Sequence, residues 1–506
     1  MSQPTAISGP DFGQGIPLSN IPDEGVLAGH VNDTPVLLAR VAGELHAVSA
    51  TCTHYGAPLA EGLRVGDEIR CPWHHACFSL RTGEALHAPA FAALATWRVE
   101  TVGAQVFVHP ASTETPAIVR DASQPCPHHP GRIVLVGGGA TAFAAAERLR
   151  SRGFAGSLSM LSADSDPPCD RPNLSKDYLA GTASEDWIPL QSADFYTEHA
   201  IDLRVGCEVT AIDLAAHSVT TQDGNVFEYD ALLLAQGAEP IRLHLPGFDH
   251  PNVHILRSLA DARALIAGVA EAASVAVIGA GFIGLEAASA LRTRGLEVHV
   301  IAPEALPLDK LLGEALASHV VGLHRAQGVV FHPGCQASAF ENGELLLSDG
   351  QRLAVDAVLV GVGVKPRMAL AEAAGLTVDN GIVVDDCLRA SAPGVFAAGD
   401  VARYPHADGS ARVEHWVHAE RQGQVAADNM LGAAQAYTAP PFFWTHHFGT
   451  DVRYVGHGRG WTSVEVDGSP ADGDCLVRYF RDGTLVAAAS IGRDQALLEI
   501  EEAMSR

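Results

Sequence analysis

The sequence predicts a multidomain α/β protein: an antiparallel β domain first, then two copies of a parallel strand–turn–helix–strand unit, then a smaller α+β unit. Three observations carry this expectation. Short β-type runs broken by Gly, Pro and Asp turns fill the stretch from Phe12 to Val108. A buried-type strand running into a glycine-rich turn and an alanine-rich helix occurs twice, beginning at Ile133 and at Val275. The length of 506 residues leaves room for three or four such units at about 150 residues each.

Composition narrows the function classes. With 33 Lys+Arg against 59 Asp+Glu the net charge is −26, which repels phosphate backbones and anionic lipid and argues against a nucleic-acid or membrane-surface role. Hydrophobic residues at 47% and charged ones at 18% supply large cores and exclude global disorder. Aromatic content of 6% beside 50 glycines fits Ala/Val/Leu-rich α/β layers better than a sandwich built on aromatics. Nine cysteines without a CxxC pair argue against a disulfide framework, so a reducing cytoplasm is the expected location. Met1–Gln14 is too polar for a signal peptide, and the apolar run Ala272–Leu291 is interrupted by Gly279, Gly281, Gly284 and Glu286.

In chain order, residues 1–109 read as the β domain, with strands at Val36–Val41, Leu45–Val48, Glu68–Arg70, Thr96–Val99 and Gln105–Val108. Residues 110–131, rich in proline and lacking periodicity, read as a linker. The first repeat then sets strand Ile133–Val136, helix Thr141–Arg152 and strand Leu158–Leu161; the second sets Val275–Ile278, Ile283–Arg294 and Val298–Ile301. The divisions are 132–250, 251–380 and 381–432, followed by 433–506 with strands at Val452–Val455, Leu476–Tyr479 and Leu485–Ser490 and a helix near Ala496–Met504.

Within the β domain, Cys52-Thr-His54 and Cys71-Pro-Trp-His74 are separated by sixteen residues. Two thiolates and two imidazoles on paired loops suit either one zinc or a two-iron cluster. A single residue between the first pair is poor spacing for structural zinc, whereas one Cys and one His per loop matches a [2Fe–2S] centre with both sulfurs on one iron. The segments CTHYGAPL and CPWHHACF resemble the two ligand loops of a Rieske domain, which assigns Cys52, His54, Cys71 and His74 as ligands. Members from respiratory complexes bridge these loops with a disulfide; Ala57 and Trp73 stand in those places here. Ala76 and Phe78 replace the Ser and Tyr that donate hydrogen bonds toward sulfur in that group, so the resemblance implies a low-potential cluster. His75 stands where many relatives have Gly and is expected to face solvent, while Cys77 is expected to pack.

The glycine-rich turns supply the second chemistry. In Gly137-Gly-Gly139-Ala-Thr-Ala142 the first glycine permits the tight turn, the second admits a pyrophosphate against the backbone, and Ala142 allows close helix–strand packing. Gly279-Ala-Gly281-Phe-Ile-Gly284 repeats the pattern, giving two Rossmann-like dinucleotide-binding domains. Gly394-Val-Phe-Ala-Ala-Gly399-Asp400 is similar to a C-terminal flavin motif. The segments containing Ala235 and Gly237, and Gly363, resemble the connections on either side of an inserted nicotinamide domain. The order resembles two-dinucleotide flavoprotein reductases in which the FAD domain is split by the NAD domain. More specifically, it resembles Rieske-fused members of the ferredoxin-reductase and apoptosis-inducing-factor branch. That resemblance implies FAD, a Rieske [2Fe–2S] cluster and NADH, with NADPH less favoured because no Arg stands near Glu304 to welcome a 2′-phosphate.

Site residues follow from the same resemblance. Asp170-Arg171-Pro-Asn-Leu-Ser-Lys176 matches a segment beside the flavin, and Lys176 is one of only three lysines, the others being Lys310 and Lys365. The resemblance pairs Lys176 with Glu286 and places His415 and Trp416 near the flavin pyrimidine ring, with Trp416 flanking the route to the cluster. Asp164 and Glu304 are the candidates for the two adenosine riboses, and Val209 is a further cofactor-lining candidate. The helix after Gly139 has no cysteine, so no redox disulfide takes electrons from the flavin. The expected activity is an NAD(P)H-dependent FAD oxidoreductase that feeds its own cluster and then a separate acceptor, an oxygenase or another redox protein, with the chain a monomer or homodimer. The alternative is an NADH-responsive redox sensor.

Overall fold

The computed structural model describes residues 9–110, 130–407 and 409–506, so most of the predicted linker, with Cys126, lies outside the described residues. The described chain forms two compact units. One contains the N-terminal domain together with Arg493–Arg506, and the other runs to Gly492.

Both sheets of the first unit are antiparallel. Its larger sheet orders Ile16–Pro17, Gln105–Pro110, Thr96–Val102, Glu44–Ser49, Thr34–Val41 and Leu27–Val31. Its smaller sheet orders Leu63–Val65, Glu68–Arg70, Cys77–Ser79 and Ala85–His87. Leu37, Val48, Leu59, Ile69 and Phe78 form one core beneath the two ligand loops. Of the block 433–506, helix Asp494–Met504 is grouped in the same compact unit as the N-terminal domain. The reason is chemical: Leu497 and Leu498 are fully buried, Glu502 pairs with Arg70 at 2.6 Å, and Glu501 meets His75 at 2.5 Å.

The second unit holds two parallel five-stranded sheets of matching order. The first orders Asp202–Arg204, Ser157–Leu161, Arg132–Val136, Ala231–Leu234 and Val395–Ala397. The second orders Val330–Pro333, Glu297–Ala302, Ser274–Ile278, Ala357–Val360 and Val253–His254. Each copy also carries a three-stranded antiparallel appendage, Val209–Glu228 in one and Ala337–Ala354 in the other. The central strands are apolar on both faces, as parallel strands covered by helices must be. The predicted helices occur at Ala140–Ser151 and Phe282–Thr293. Helix Trp416–Met430 crosses the first of these closely, because a Cβ on Gly423 would sit 2.3 Å from the Thr141 carbonyl. A buried Arg148–Asp428 ion pair, Nη2 to Oδ2 at 3.0 Å, locks the crossing.

A five-stranded antiparallel sheet follows, ordered Phe442–His447, Thr450–Gly456, Thr484–Ile491, Asp474–Arg481 and Ser463–Ser469. Its Tyr454, Val477 and Tyr479 share a core with Leu285, Leu291 and Leu316 of the second parallel fold. This packing brings strand Phe442–His447 beside helix Phe282–Thr293. Among the described residues no helix is long and apolar enough to cross a membrane.

Candidate functional site: ligand loops and paired dinucleotide folds

The two ligand loops are built alike. The Cys52 N–H donates to the Ala57 carbonyl at 2.9 Å, and the Gly56 N–H donates to the Cys52 carbonyl at 3.0 Å. In the second loop Cys71 N–H donates to Ala76 at 2.8 Å, and His75 N–H donates to Cys71 at 3.2 Å. The equivalent turn residues Gly56 and His75 are both left-handed, with φ of 79° and 61°. Such loops bring like ligands together: the Cys52 and Cys71 thiols are hydrogen-bonded, and the His54 and His74 Nδ1 atoms lie 3.2 Å apart. Two buried thiols that face each other raise the Cys52 ionisation strongly, so both become thiolates only beside a cation. Burial pushes the His54 imidazole down to about 4, leaving it neutral and able to ligate. The donor set, two sulfurs on one side and two imidazoles on the other, fits a [2Fe–2S] cluster with mixed ligation.

His75 corrects an expectation. It is only 1% exposed rather than solvent-facing, because the C-terminal helix covers it and Glu501 accepts its Nδ1–H. Cys77 is buried, and its thiol donates to Glu68 at 3.0 Å.

The two dinucleotide folds show the same turn twice. Gly137 has φ of 134°, its N–H donates to Leu161 at 2.8 Å, and a Cβ there would meet the Ala235 carbonyl at 2.3 Å. Gly279 has φ of 102°, its N–H donates to Ile301 at 2.9 Å, and a Cβ there would meet the Gly361 carbonyl at 2.3 Å. Gly139 and Gly281 are the N-caps of the following helices, which leaves their first N–H groups available to an anion. Ala142 is fully buried against its strand, whereas a Cβ on Gly284 would meet the Gly279 carbonyl at 2.1 Å.

Around the first turn the structure gathers Arg171, bonded to Asp164 at 2.7 Å, and Arg257, bonded to Asp400 at 2.7 Å. Burial and the Arg257 charge both lower Arg171, so an anion between them is favoured. Sequence reasoning missed Arg257, which lies outside every glycine motif. It also missed Gln236, whose side-chain N and O are both buried with no hydrogen-bond partner among the described residues. Gly237 and Gly399 are left-handed, and the Gly399 N–H donates to Gln422 at 2.8 Å. Such orphaned polar atoms beside glycine cradles fit a bound dinucleotide. Val209 begins a strand and is buried. Gly363 is left-handed where the chain returns from the second sheet, and Glu304 is exposed beyond strand Glu297–Ala302.

Lys176 and Glu286 come together as expected, Nζ to Oε2 at 2.7 Å, with Glu286 only 3% exposed. The Lys176 ammonium also lies 5.7 Å from the centre of the Trp444 ring. His415 stacks on Phe443 with ring centres 4.5 Å apart, and the Trp416 indole is hydrogen-bonded to Glu420.

A sequence model described as pyridine nucleotide-disulphide oxidoreductase matches residues 131–423. The chain belongs to that family. Models of the Rieske [2Fe–2S] domain and of the reductase C-terminal domain match residues 16–98 and 442–506 of this oxidoreductase. It is similar to human apoptosis-inducing factor 3, 30% identical over 93% of this chain and 80% of that one. It is also similar to the ferredoxin–NAD(+) reductase component of the anthranilate 1,2-dioxygenase system of Burkholderia cepacia, 39% identical over 72% and 91%. The solved covalent putidaredoxin reductase–putidaredoxin complex matches with a TM-score of 0.71 and 31% identity, covering 74% of this chain and 93% of that one. The protein is thus a ferredoxin-reductase-like, FAD-dependent NAD(P)H oxidoreductase with a Rieske [2Fe–2S] domain.

Proposed function

We propose that this oxidoreductase passes electrons from NADH through FAD to its own Rieske cluster and then to a separate acceptor protein. One observation carries the reading: the chain joins two dinucleotide folds to a four-ligand cluster site, yet helix Ala140–Ser151 contains no cysteine. The disulphide relay for which the family is named therefore has no residues here. FAD, when bound, accepts a hydride and releases single electrons. Gly137, Gly139 and Ala142 cradle its pyrophosphate; Asp164 and Arg171 face its adenosine half, with Val209 on the segment that bonds to Ser162 and Asp164; Ala235, Gly237, Gly399 and Asp400 line its flavin half, with His415 and Trp416 beside it. Gly279, Gly281, Gly284, Glu304 and Gly363 hold NADH. Lys176 and Glu286 orient the nicotinamide against the flavin edge. Cys52, His54, Cys71 and His74 hold the iron. The dioxygenase system in the Burkholderia relative's name supports an oxygenase or another redox protein as the class of acceptor.

Anaerobic titration with NADH, followed by absorbance and electron paramagnetic resonance, tests the reading. Reduction of both flavin and cluster is expected. A bleached flavin beside a cluster that stays oxidised through many turnovers overturns the intramolecular route.

A second reading, an NADH-responsive sensor, is favoured by the match to apoptosis-inducing factor 3 over most of the chain. Slow flavin reduction with a changed oligomeric state supports it, and rapid multiple turnover with an artificial acceptor rejects it.

A further inference from the structure

Behind the Lys176–Glu286 pair runs a buried row of polar side chains that the glycine motifs do not explain. Glu286 Oε2 accepts from Lys176 at 2.7 Å and from the Ser175 hydroxyl at 2.6 Å, and its Oε1 accepts from the Thr445 hydroxyl at 2.7 Å. Thr445 has one proton and gives it to Glu286, so the 3.0 Å contact with His447 Nε2 requires that nitrogen to donate. His447 Nδ1 is then an acceptor and takes the Nε2–H of His324 at 3.2 Å. Thr445, His447 and His324 are all fully buried, and burial keeps both imidazoles neutral. Every donor in the row points toward Glu286. The far end is closed: among the described residues His324 Nδ1 has no hydrogen-bond partner, and Phe331 and Phe448 pack against the ring with centres at 6.1 and 5.0 Å. A row that ends on aromatic rings cannot exchange protons with solvent, so its use is orientation.

We infer that Thr445, His447 and His324 are positioning residues that fix the Glu286 carboxylate, and through it Lys176, for hydride transfer. The inference rests on the reading of Lys176–Glu286 given above. Without Thr445 the carboxylate is held, among the described residues, only through Oε2, by Ser175 and Lys176. Oε1 then loses its anchor, and the group can turn about its terminal bond and carry the lysine with it. The FAD-loaded enzyme tests this by stopped-flow reduction with NADH. Thr445→Val is expected to slow flavin reduction at saturating NADH by about tenfold, the scale of one hydrogen bond to a charged group, with little change in NADH affinity. It is also expected to shift the absorption band of the oxidised flavin, and Thr445→Ser is expected to restore both. Adding His324→Leu to Thr445→Val should change neither further, because both act through one row. Additive losses, or a Thr445→Val enzyme with the parent rate and spectrum, overturn the inference. If Thr445→Val does not retain FAD, His447→Leu carries the same comparison. Glu286→Gln separates the two levels: a parent-like rate there defeats the reading of the pair itself, whereas a slow Glu286→Gln beside a normal Thr445→Val defeats only the row.

Discussion

His75 holds a left-handed backbone that costs a non-glycine residue about 1–2 kcal/mol, and it keeps that geometry with a buried contact to Glu501. The two halves of this arrangement do not fail equally. His75→Ala keeps the strained turn and strands the buried Glu501 carboxylate, a loss of about 3–5 kcal/mol. His75→Gly strands the same carboxylate but relieves the turn, so its loss is expected to be smaller by about 1–2 kcal/mol. Thermal bleaching of the cluster absorbance ranks the two variants, and equal or inverted losses reject the account. A second residue-scale consequence concerns acid. Burial holds His324 near a pKa of about 4, below the ordinary 6.5, so between those values the unfolded chain binds a proton that the folded one does not. Stability therefore falls as pH drops through 6.5 and this contribution levels off below about 4. His324→Gln should remove roughly 2 kcal/mol of the wild-type loss between pH 7 and 5, read as a difference in denaturation midpoints.

At the scale of elements, the duplicated strand–turn–helix unit makes an internal control. The third small position is Ala142 in the first copy and Gly284 in the second, yet only the second has a carbonyl 2.1 Å from where a Cβ would stand. Gly284→Ala must push helix Phe282–Thr293 off its strand, so NADH affinity is expected to fall at least about tenfold while FAD content and cluster absorbance stay unchanged. Calorimetric titration beside cofactor analysis reads this, and loss of flavin in the same variant would contradict separate folds. The contrast also shows what was legible in the residues. Glycine turns, alternating strands and paired Cys/His loops write their geometry into adjacent positions, and the bounds of the expected strands and helices lie within three residues of those observed. Arg257, His447 and His324 were not legible, because each acts across more than a hundred residues and carries no local spacing, while Ser175 and Gln236 sit inside recognised segments and only their side-chain roles went unread. His75 failed for the same reason: the helix that buries it lies 426 residues further along the chain.

For the whole molecule, 59 acidic against 33 basic side chains set a field that any acceptor meets before contact. A charge of −26 steers a partner with a basic face and repels an acidic one, and at 0.15 M salt that field reaches only about 8 Å. The electron path is therefore expected to divide by its salt response. Flavin reduction at saturating NADH occurs within an already formed complex and should hold nearly constant as salt rises. The second-order reduction of a basic one-electron acceptor should fall steadily over the same range, and that of an acidic acceptor should rise. Cys71→Ser locates the exit point: it should abolish cluster absorbance and the reduction of protein acceptors while leaving NADH-driven flavin reduction intact. If that variant still reduces the basic protein acceptor at the parent rate with the parent salt slope, electrons leave from the flavin. The negative field then serves the reductase surface rather than the cluster domain.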